Sequence, residues 1–336
     1  MDFLNAIVLF CNFVLVPATT YGAQLALGAL GITVIYRILR FANFAHSELM
    51  SWGAMLTLFM TWYLQSVGIH AGPLPTALLA LPVGILGAIA MALTTERTVY
   101  RFYRKQRASS ITFAIVSVGV MFVMAGLTRF MIGPGEQVMA DGQRFLIKAV
   151  EFKRMTGLDE GLAIKTTQVI TIAAAIAMAG FLFWFLYRTR SGKAMRAFSD
   201  NEDLALLSGI NPDRIVAIAW ILAAILATLS GTLYGLDKSY KPFVFLQLLL
   251  PIFASAIVGG IGQPVGAILG GFVIAYSEVL LTYAYRKFAT YLVPGDWKPE
   301  GLLQLLSTDY KFSISFIILV IVLLIRPTGI IRGKLL

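Results

Sequence analysis

The chain has 336 residues, 58% of them hydrophobic and only 13% charged, with a formal net charge of +10 and a mean hydropathy of +0.81. A soluble domain of this size needs roughly a quarter of its residues charged to cover its surface, so the composition excludes one. The excess of basic residues does not mark a nucleic-acid binder either, because they fall in short gaps between apolar runs, where the positive-inside rule places them.

Apolar runs near the ~20 residues of a bilayer-crossing helix are predicted at about 3–17, 21–39, 48–66, 74–95, 110–131, 166–187, 213–235, 244–258, 265–284 and 312–325. They give an all-α polytopic membrane protein of eight to ten spans, interrupted helices included, read as one transmembrane domain over 1–336. The start, MDFLNAIVLFCNFVLVPATTYG, carries Asp2 and no Lys or Arg. It lacks the basic region of a signal peptide, and a retained membrane helix is expected. Cys11 is the sole cysteine, so no internal disulfide can form, and the two histidines, His46 and His70, stand apart without a cysteine-rich motif. No structural metal site is expected from them.

The segment FANFAHSELMSWGA interrupts the apolar pattern with Asn43, His46, Ser47 and Glu48. An ionisable group in a bilayer costs at least about 2.5 kcal/mol, so Glu48 is expected to face protein, water or a partner such as His46. These four side chains form either a wall of a translocation path or a polar knot that ties two helix ends together. Further on, ERTVYRFYRKQR sets five basic residues against Glu96, with Glu96 and Arg97 expected as interfacial anchors. The loop from about 132 to 165 mixes acids with bases and has turn signals that suggest a small hairpin, serving as a connector or as a docking surface.

Nine ionisable side chains then gather between Arg188 and Arg214. Ser199 with Glu202 reads as a capping box, and Asp200 and Asp203 suit the positive end of a helix dipole. Leu204, Ala205, Leu207 and Ser208 give a small or apolar face. Gly209 is placed to end the helix as a left-handed cap, and Asn211-Pro212 starts the next. A two-turn helix with two leucines cannot stand alone. It either packs on its own membrane domain or fills a groove in a cytoplasmic partner.

In the second half, AIVGGIGQPVGAILGG allows close backbone approach and a break around Gln263-Pro264. Gly266 and Gly270 are explained by helix packing, whereas Gly260, Gly262, Gln263 and Pro264 are read as a pathway element, the counterpart of FANFAH in the first half. Glu278 is expected to face inward or to be paired near the outer interface. The tail RPTGIIRGKLL carries Arg326, Arg332 and Lys334 and no acid. Alternating the spans puts this tail, the Arg188–Arg214 stretch and the ERTVYRFYRKQR loop on one side, which is then the cytoplasm. The loops at about 132–165 and 285–311 fall on the other.

Four ordered motifs now carry a family resemblance: LGALGITVIYRILRFANFAHSELMSWGA at 27–54, the Arg196-Ala197 to Arg214 stretch, LSGTLYG at 229–235 and the glycine segment at 256–271. Over residues 20–330 the chain resembles permease subunits of branched-chain amino acid ABC importers, the leucine, isoleucine and valine uptake type. Ser47-Glu48 departs mildly, standing where that family more usually has Gly-Asp or Gly-Glu. The resemblance implies a multi-pass subunit of a bacterial inner membrane with a cytoplasmic C-terminus. It pairs with a second, dissimilar permease, takes substrate from a periplasmic binding protein and is driven by two cytoplasmic ATPases. The segment at about 191–214 is then the coupling element, with Arg196, Asp200, Asp203, Leu204, Leu207 and Gly209 as its contact residues. No cofactor is expected on this chain, and ATP with magnesium belongs to the partners. The sequence agrees on one point, since no G-x-x-x-x-G-K-[ST] run occurs.

Related permeases take urea, short amides or other amino acids, so the sequence leaves the substrate open. Two readings of another class also compete. One is a secondary carrier or channel with Glu48, His46 and Glu278 as an ion relay. The other is an intramembrane enzyme with His46 and Glu48 as acid and base. Neither needs a docking helix.

Overall fold

The structure is a computed structural model and describes residues 1–139, 141–292 and 301–331. Helix α1 (Asp2–Phe10) passes through a π turn (Cys11–Leu15) into α2 (Val16–Leu39), making one rod of 38 residues. The two predicted runs at 3–17 and 21–39 are therefore one helix: Pro17 lies inside the rod directly after the π turn, whose wider bond spacing (Val16 amide to Cys11 carbonyl) accommodates a residue without an amide hydrogen. Next come α3 (His46–Ser66) and α4 (Ala77–Thr95), the latter continuing through a second π turn (Glu96–Tyr100) into α5 (Arg101–Lys105). Helix α6 (Ser110–Ile132) leads to the loop region, where β1 (Phe145–Ile147) pairs antiparallel with β2 (Ile164–Lys165) around α7 (Ala149–Thr156). An antiparallel strand pair is present where a small hairpin is expected, but a helix stands between the strands, so the connection is not a tight turn.

Helix α8 (Thr166–Arg188) is followed by two short helices, α9 (Arg190–Asp200) and α10 (Glu202–Leu207), and then by α11 (Pro212–Lys238). The remainder is α12 (Pro242–Gly259), α13 (Pro264–Thr282), α14 (Arg286–Leu292) and α15 (Lys311–Ile325). Eight helices among the described residues are long and apolar enough to cross a membrane, so the chain is an all-α, multi-pass membrane protein. Helix α3 is more polar but 21 residues long and packs between α4 and α11.

Burial sorts the helices. The most apolar window of α11 is 72% buried, against 17% for α8 and 11% for the segment ending in α15. Helices α2 and α11 thus form the centre, with α3, α12 and α13 around them, while α8 and α15 show apolar side chains such as Ile176 and Leu324 to the surroundings. Because lipid is as apolar as leucine, close helix approach depends on small residues. A Cβ on Gly271 would stand 2.8 Å from the Ala26 nitrogen of α2, and Gly266 and Gly259 of α13 and α12 face each other backbone to backbone. That bears out the packing role read for Gly266; Gly270 likewise lies against the Ser255 carbonyl.

One end of the bundle collects Arg101, Arg104, Arg190, Lys193 and Arg214; we call it the basic face. At the other end the loops knit together. Asn5 donates to Asp159 (3.2 Å) and accepts from the Glu160 amide (3.2 Å), and Lys287 pairs with Glu160 (2.7 Å). The first turns of the 38-residue helix are thereby anchored on this opposite face, which explains a rod of about 57 Å where a bilayer core needs about 30 Å. Glu278 is buried near the same end, bonded by Ser315 and 3.7 Å from Lys311, as expected for a carboxylate paired near that interface. In the tail, Arg326 is described, while Arg332 and Lys334 lie outside the described residues.

Candidate functional site

The first polar interruption folds as a turn between α2 and α3. Helix α2 ends at Arg40, whose backbone is left-handed (φ 55), and the next five residues are held by side chains. Asn43 Oδ1 accepts from the Ala45 amide (3.2 Å) and from the Tyr100 hydroxyl (3.2 Å), and Ser117 of α6 accepts from the Phe44 amide (3.0 Å). Asn43, His46, Ser47 and Glu48 are all 1% exposed or less. Yet Asn43 Nδ2, Ser47 Oγ and Glu48 Oε1 have no hydrogen-bond partner among the described residues, while the His46 ring faces the Gly28 carbonyl of α2. Buried polar atoms are normally satisfied, and orphans mark water, a ligand or a functional strain.

His46 and Glu48 do not pair, contrary to one expectation, because residues two apart on a helix point to different sides. The imidazole instead rests on Gly31 of α2, where a Cβ would come within 2.5 Å of His46 Cε1. Glu48 lies on the α3 turn that leads to Ser51, whose hydroxyl is 2.9 Å from the Tyr240 hydroxyl.

The basic face carries the second group. Helix α9 is amphipathic and packs Met195 and Phe198 inward, and it includes Ser199 and Asp200. The expected capping box at Ser199 is therefore absent. Ser199 is buried and accepts from Arg37 Nε of α2 (3.2 Å), while Asn201 caps the next helix by accepting from the Leu204 amide (3.0 Å). The helix began one cap later because Asn201 leaves helical geometry (φ −150, ψ 106) and Ser199 does not.

The stop is as expected. Gly209 is left-handed (φ 78), its amide reaches Leu206 O and that of Ile210 reaches Ala205 O, which is a Schellman closure. Asn211 then caps α11 through the Arg214 amide. On α10, Ala205 packs inward, whereas Leu204, Leu206 and Leu207 are 61%, 42% and 86% exposed. Leu206 adds a third outward leucine to the two singled out in the sequence. Asp203 is exposed beside them, and the Arg196 guanidinium lies over the Tyr187 ring at 4.6 Å.

A network joins these two groups. Asp213, in the first turn of α11, binds Arg101 (2.9 Å) and Arg104 (2.8 Å); Arg104 also binds Glu96, whose other oxygen accepts from Trp220 Nε1 (2.8 Å). Trp220 stacks on Tyr100 at 5.0 Å, and Tyr100 holds Asn43. Glu96, expected as an interfacial anchor, is buried and doubly bonded, while Arg97 is exposed. Tyr100, Asp213 and Trp220 carried no signal in the sequence, since their spacing from Asn43 and Glu96 is set by tertiary packing alone.

The second glycine segment is a four-residue turn between α12 and α13 at the basic face. Gly260 and Gly262 are left-handed (φ 112 and 80). The freed carbonyls of Val258 and Gly259 accept from the amides of Ile330 (2.8 Å) and Ile331 (3.1 Å), so the returning tail closes the end of α12. Gly262 shares a small apolar pocket with Thr33, Tyr36 and Ala42, and Pro264 shares another with Arg37, Met195 and Arg196. Phe44 stacks on Phe253 of α12 at 5.2 Å. The two interruptions and α9 therefore meet around the end of α2. Gly260, Gly262, Gln263 and Pro264 stand at helix ends and not beside His46.

On the opposite face a cavity of about 430 Å³ is lined by Arg144, Lys165, Thr167, Asp237, Asp141 and Met139, among others. Burial raises the Asp141 carboxyl, but hydrogen bonds from Thr76 and Gln65 outweigh that and hold it below its ordinary range. Met139 is buried over Gly235.

Comparison with known proteins decides the family. The family described as branched-chain amino acid transport system, permease component, matches residues 14–323. The chain belongs to that family. It is 30% identical over 319 residues to the high-affinity branched-chain amino acid transport system permease protein LivH of Escherichia coli (strain K12), covering 93% of this chain and 92% of the relative. It is 26% identical to the corresponding permease protein BraD of Pseudomonas aeruginosa, covering 94% of each. A stretch of 147 residues, 41% of this chain and 34% of the relative, is 23% identical to the permease protein LivM of Escherichia coli (strain K12).

Proposed function

We propose that this chain is a permease subunit of a binding-protein-dependent ABC importer for branched-chain amino acids, and that α10 is the element through which partner ATPases act on it. The observation that carries the reading is the exposed leucine face of α10 on the basic face, between Asn201 and Gly209 caps that fix its length. Three leucines on a six-residue helix have no use in water. An apolar helix face set in a groove of a partner is a common way for such side chains to be buried.

The basic face is then cytoplasmic, in keeping with the positive-inside rule, and the membrane is the bacterial inner membrane. A second permease, two ATPases carrying ATP and magnesium, and a periplasmic binding protein complete the assembly. Family membership and the relative named LivM support the pairing with a second permease. Asn43, His46, Ser47 and Glu48 line the pathway in this reading, because they are buried together at the heart of the bundle and Asn43 Nδ2, Ser47 Oγ and Glu48 Oε1 lack partners among the described residues. Gly260, Gly262, Gln263 and Pro264 form its hinge at the cytoplasmic end. Arg196, Asp200 and Asp203 orient the docking of Leu204 and Leu207, and Gly209 ends the docking helix.

Reconstitution tests this. With all subunits and the binding protein present, leucine uptake into proteoliposomes is expected to require ATP, and this chain alone is expected to show no uptake driven by a proton or sodium gradient. Gradient-driven flux by the isolated chain would make it a carrier that uses Glu48 and His46.

A further inference from the structure

The cavity on the opposite face is separate from both the α2–α3 junction and the α10 helix. Its lining has a definite chemistry. Arg144 is exposed and has no carboxylate within ion-pair distance among the described residues; its guanidinium lies 5.4 Å from the Phe145 ring. Lys165 meets Asp237 Oδ1 at 3.4 Å and the exposed Lys238 meets its Oδ2 at 3.7 Å, and the Asp237 side chain is 7% exposed. Both separations are longer than the about 2.7–2.9 Å of a tight charged hydrogen bond, so the pairs are loose. Thr167 Oγ1 is buried with no hydrogen-bond partner among the described residues. Met139 and Leu236 supply an apolar wall. The floor is Met139, whose sulfur would be 2.9 Å from a Cβ on Gly235. The Gln137–Tyr240 backbone pair (2.9 Å each way) holds that floor in place, and the Tyr240 hydroxyl meets Ser51 one turn beyond Glu48.

We propose that this pocket is a low-affinity receiving site for an amino-acid zwitterion, standing over the buried polar junction of α3. The inference rests on the importer reading for its substrate class. An incoming ammonium takes the place of Lys165 at Asp237, and the carboxylate settles between Lys165 and Arg144. A zwitterion is neutral, so the exchange leaves Lys238 on Asp237, replaces the Lys165–Asp237 pair by an ammonium pair and a carboxylate pair, and adds no net charge. The aliphatic side chain lies on Met139 and Leu236. A volume of about 430 Å³ is at the small-ligand end of ordinary sites, and the open mouth suits delivery from a docked protein.

The test uses the assembled importer in nanodiscs without its binding protein, probed with leucine by saturation-transfer NMR. Saturable binding with Kd on the order of 1 mM is expected. Leucine amide, lacking the carboxylate, and 4-methylpentanoate, lacking the ammonium, are expected to bind about tenfold more weakly or worse. Arg144→Gln removes an exposed side chain and leaves the fold alone; it and Asp237→Asn are expected to abolish binding and cut uptake about tenfold. In both variants, ATP hydrolysis stimulated by the loaded binding protein should persist. Glu136→Gln, in an exposed pair with Lys241 on the same face, should change nothing. Absence of saturable binding, equal binding of the amide and the acid, or variants that bind leucine like the parent each overturn the proposal. So do variants that lose stimulation by the binding protein while leucine binding is unchanged, which would make the pocket a protein-docking surface. An importer that transports leucine with ATP but shows no pocket binding refutes the site alone. One that binds leucine but takes up none with ATP refutes the importer reading alone.

Discussion

The His46 imidazole occupies the space that a side chain on Gly31 would need: a Cβ there would lie 2.5 Å from Cε1 and 2.8 Å from Nε2. Two effects then compete in Gly31→Ala. Replacing a helical glycine by alanine gains about 1 kcal/mol, whereas overpacking a close contact costs about 1–3 kcal/mol. The contact is expected to win, lowering the unfolding temperature in detergent. His46→Ala in the same chain should relieve the overlap, so that the double variant is more stable than the sum of the singles. A Gly31→Ala protein that unfolds at higher temperature than the parent would show that the ring does not sit there.

Arg101 and Arg104 both bind Asp213, but their environments differ. The Arg101–Asp213 pair is 40% and 53% exposed, and such pairs contribute about 0–1 kcal/mol. Arg104 also neutralises Glu96, whose side chain is 9% exposed, and its loss leaves a buried charge that costs about 3–5 kcal/mol. Arg104→Gln is therefore expected to destabilise far more than Arg101→Gln in thermal unfolding. Adding Glu96→Gln should recover part of the loss. Equal effects of the two arginine variants would mean that Glu96 does not depend on Arg104.

The turn after α12 separates two kinds of glycine. Gly262 is left-handed but has open space around its missing Cβ, whereas a Cβ on Gly260 would overlap the Ile331 carbonyl. Gly262→Ala should thus cost only the backbone strain, about 1–2 kcal/mol, and Gly262→Asn less. Gly260→Ala must also push the tail off α12, exposing the carbonyls of Val258 and Gly259. Limited proteolysis of the tail should increase in Gly260→Ala and stay unchanged in Gly262→Asn.

Composition and run length made the membrane fold legible, because the bilayer fixes helix length and forbids unsatisfied backbone. The caps at Gly209 and Asn211 were legible too, since both are local chemistry. What could not be read is whatever depends on packing between distant segments. Ser199 and Asn201 are both good caps, and only the inward packing of Met195 and Phe198 carries α9 past Ser199 to Asn201. The Tyr100–Asn43 bond and the Trp220–Glu96 bond join helices more than fifty residues apart, with no spacing rule behind them. GGIGQP reads equally as a break within one span or as a turn between two, and its place at the basic face follows from the tail that covers it.

Asp141 offers a pH test. Its carboxyl is held below the ordinary range, with the bonds from Thr76 and Gln65 outweighing burial. A lowered carboxyl stabilises the loop fully above its unfolded pKa, about 3.9, and this contribution is lost as pH falls through the lower folded value. Protection of the Thr76 amide against hydrogen exchange should therefore drop on acidification below about pH 4 and be flat above it. In Asp141→Asn the drop should vanish, with protection low throughout.

Leu207 and Ala205 share a six-residue helix and should behave in opposite ways. Leu207 is 86% exposed and Ala205 4%. Leu207→Asp leaves the isolated subunit's packing intact, so a permease that is monodisperse and thermally unchanged in detergent is expected. Against an ATPase groove, however, the aspartate sets an unpaired charge on an apolar wall. Truncation of such an anchor to alanine costs about 1–4 kcal/mol in binding, and the aspartate should exceed that, stripping the ATPases in a pull-down and abolishing substrate-stimulated ATP hydrolysis. Leu204→Ala and Leu206→Ala should each weaken capture more mildly, because they flank Leu207 on opposite sides of the helix and meet only the edges of a groove that receives it. Ala205→Asp should instead lower the unfolding temperature of the subunit by itself. If Leu207→Asp keeps its ATPases and their stimulated hydrolysis, α10 is not the element that couples them to the membrane domain, and the joint must lie elsewhere on the basic face, with α9 and its Pro264 contact the next to test.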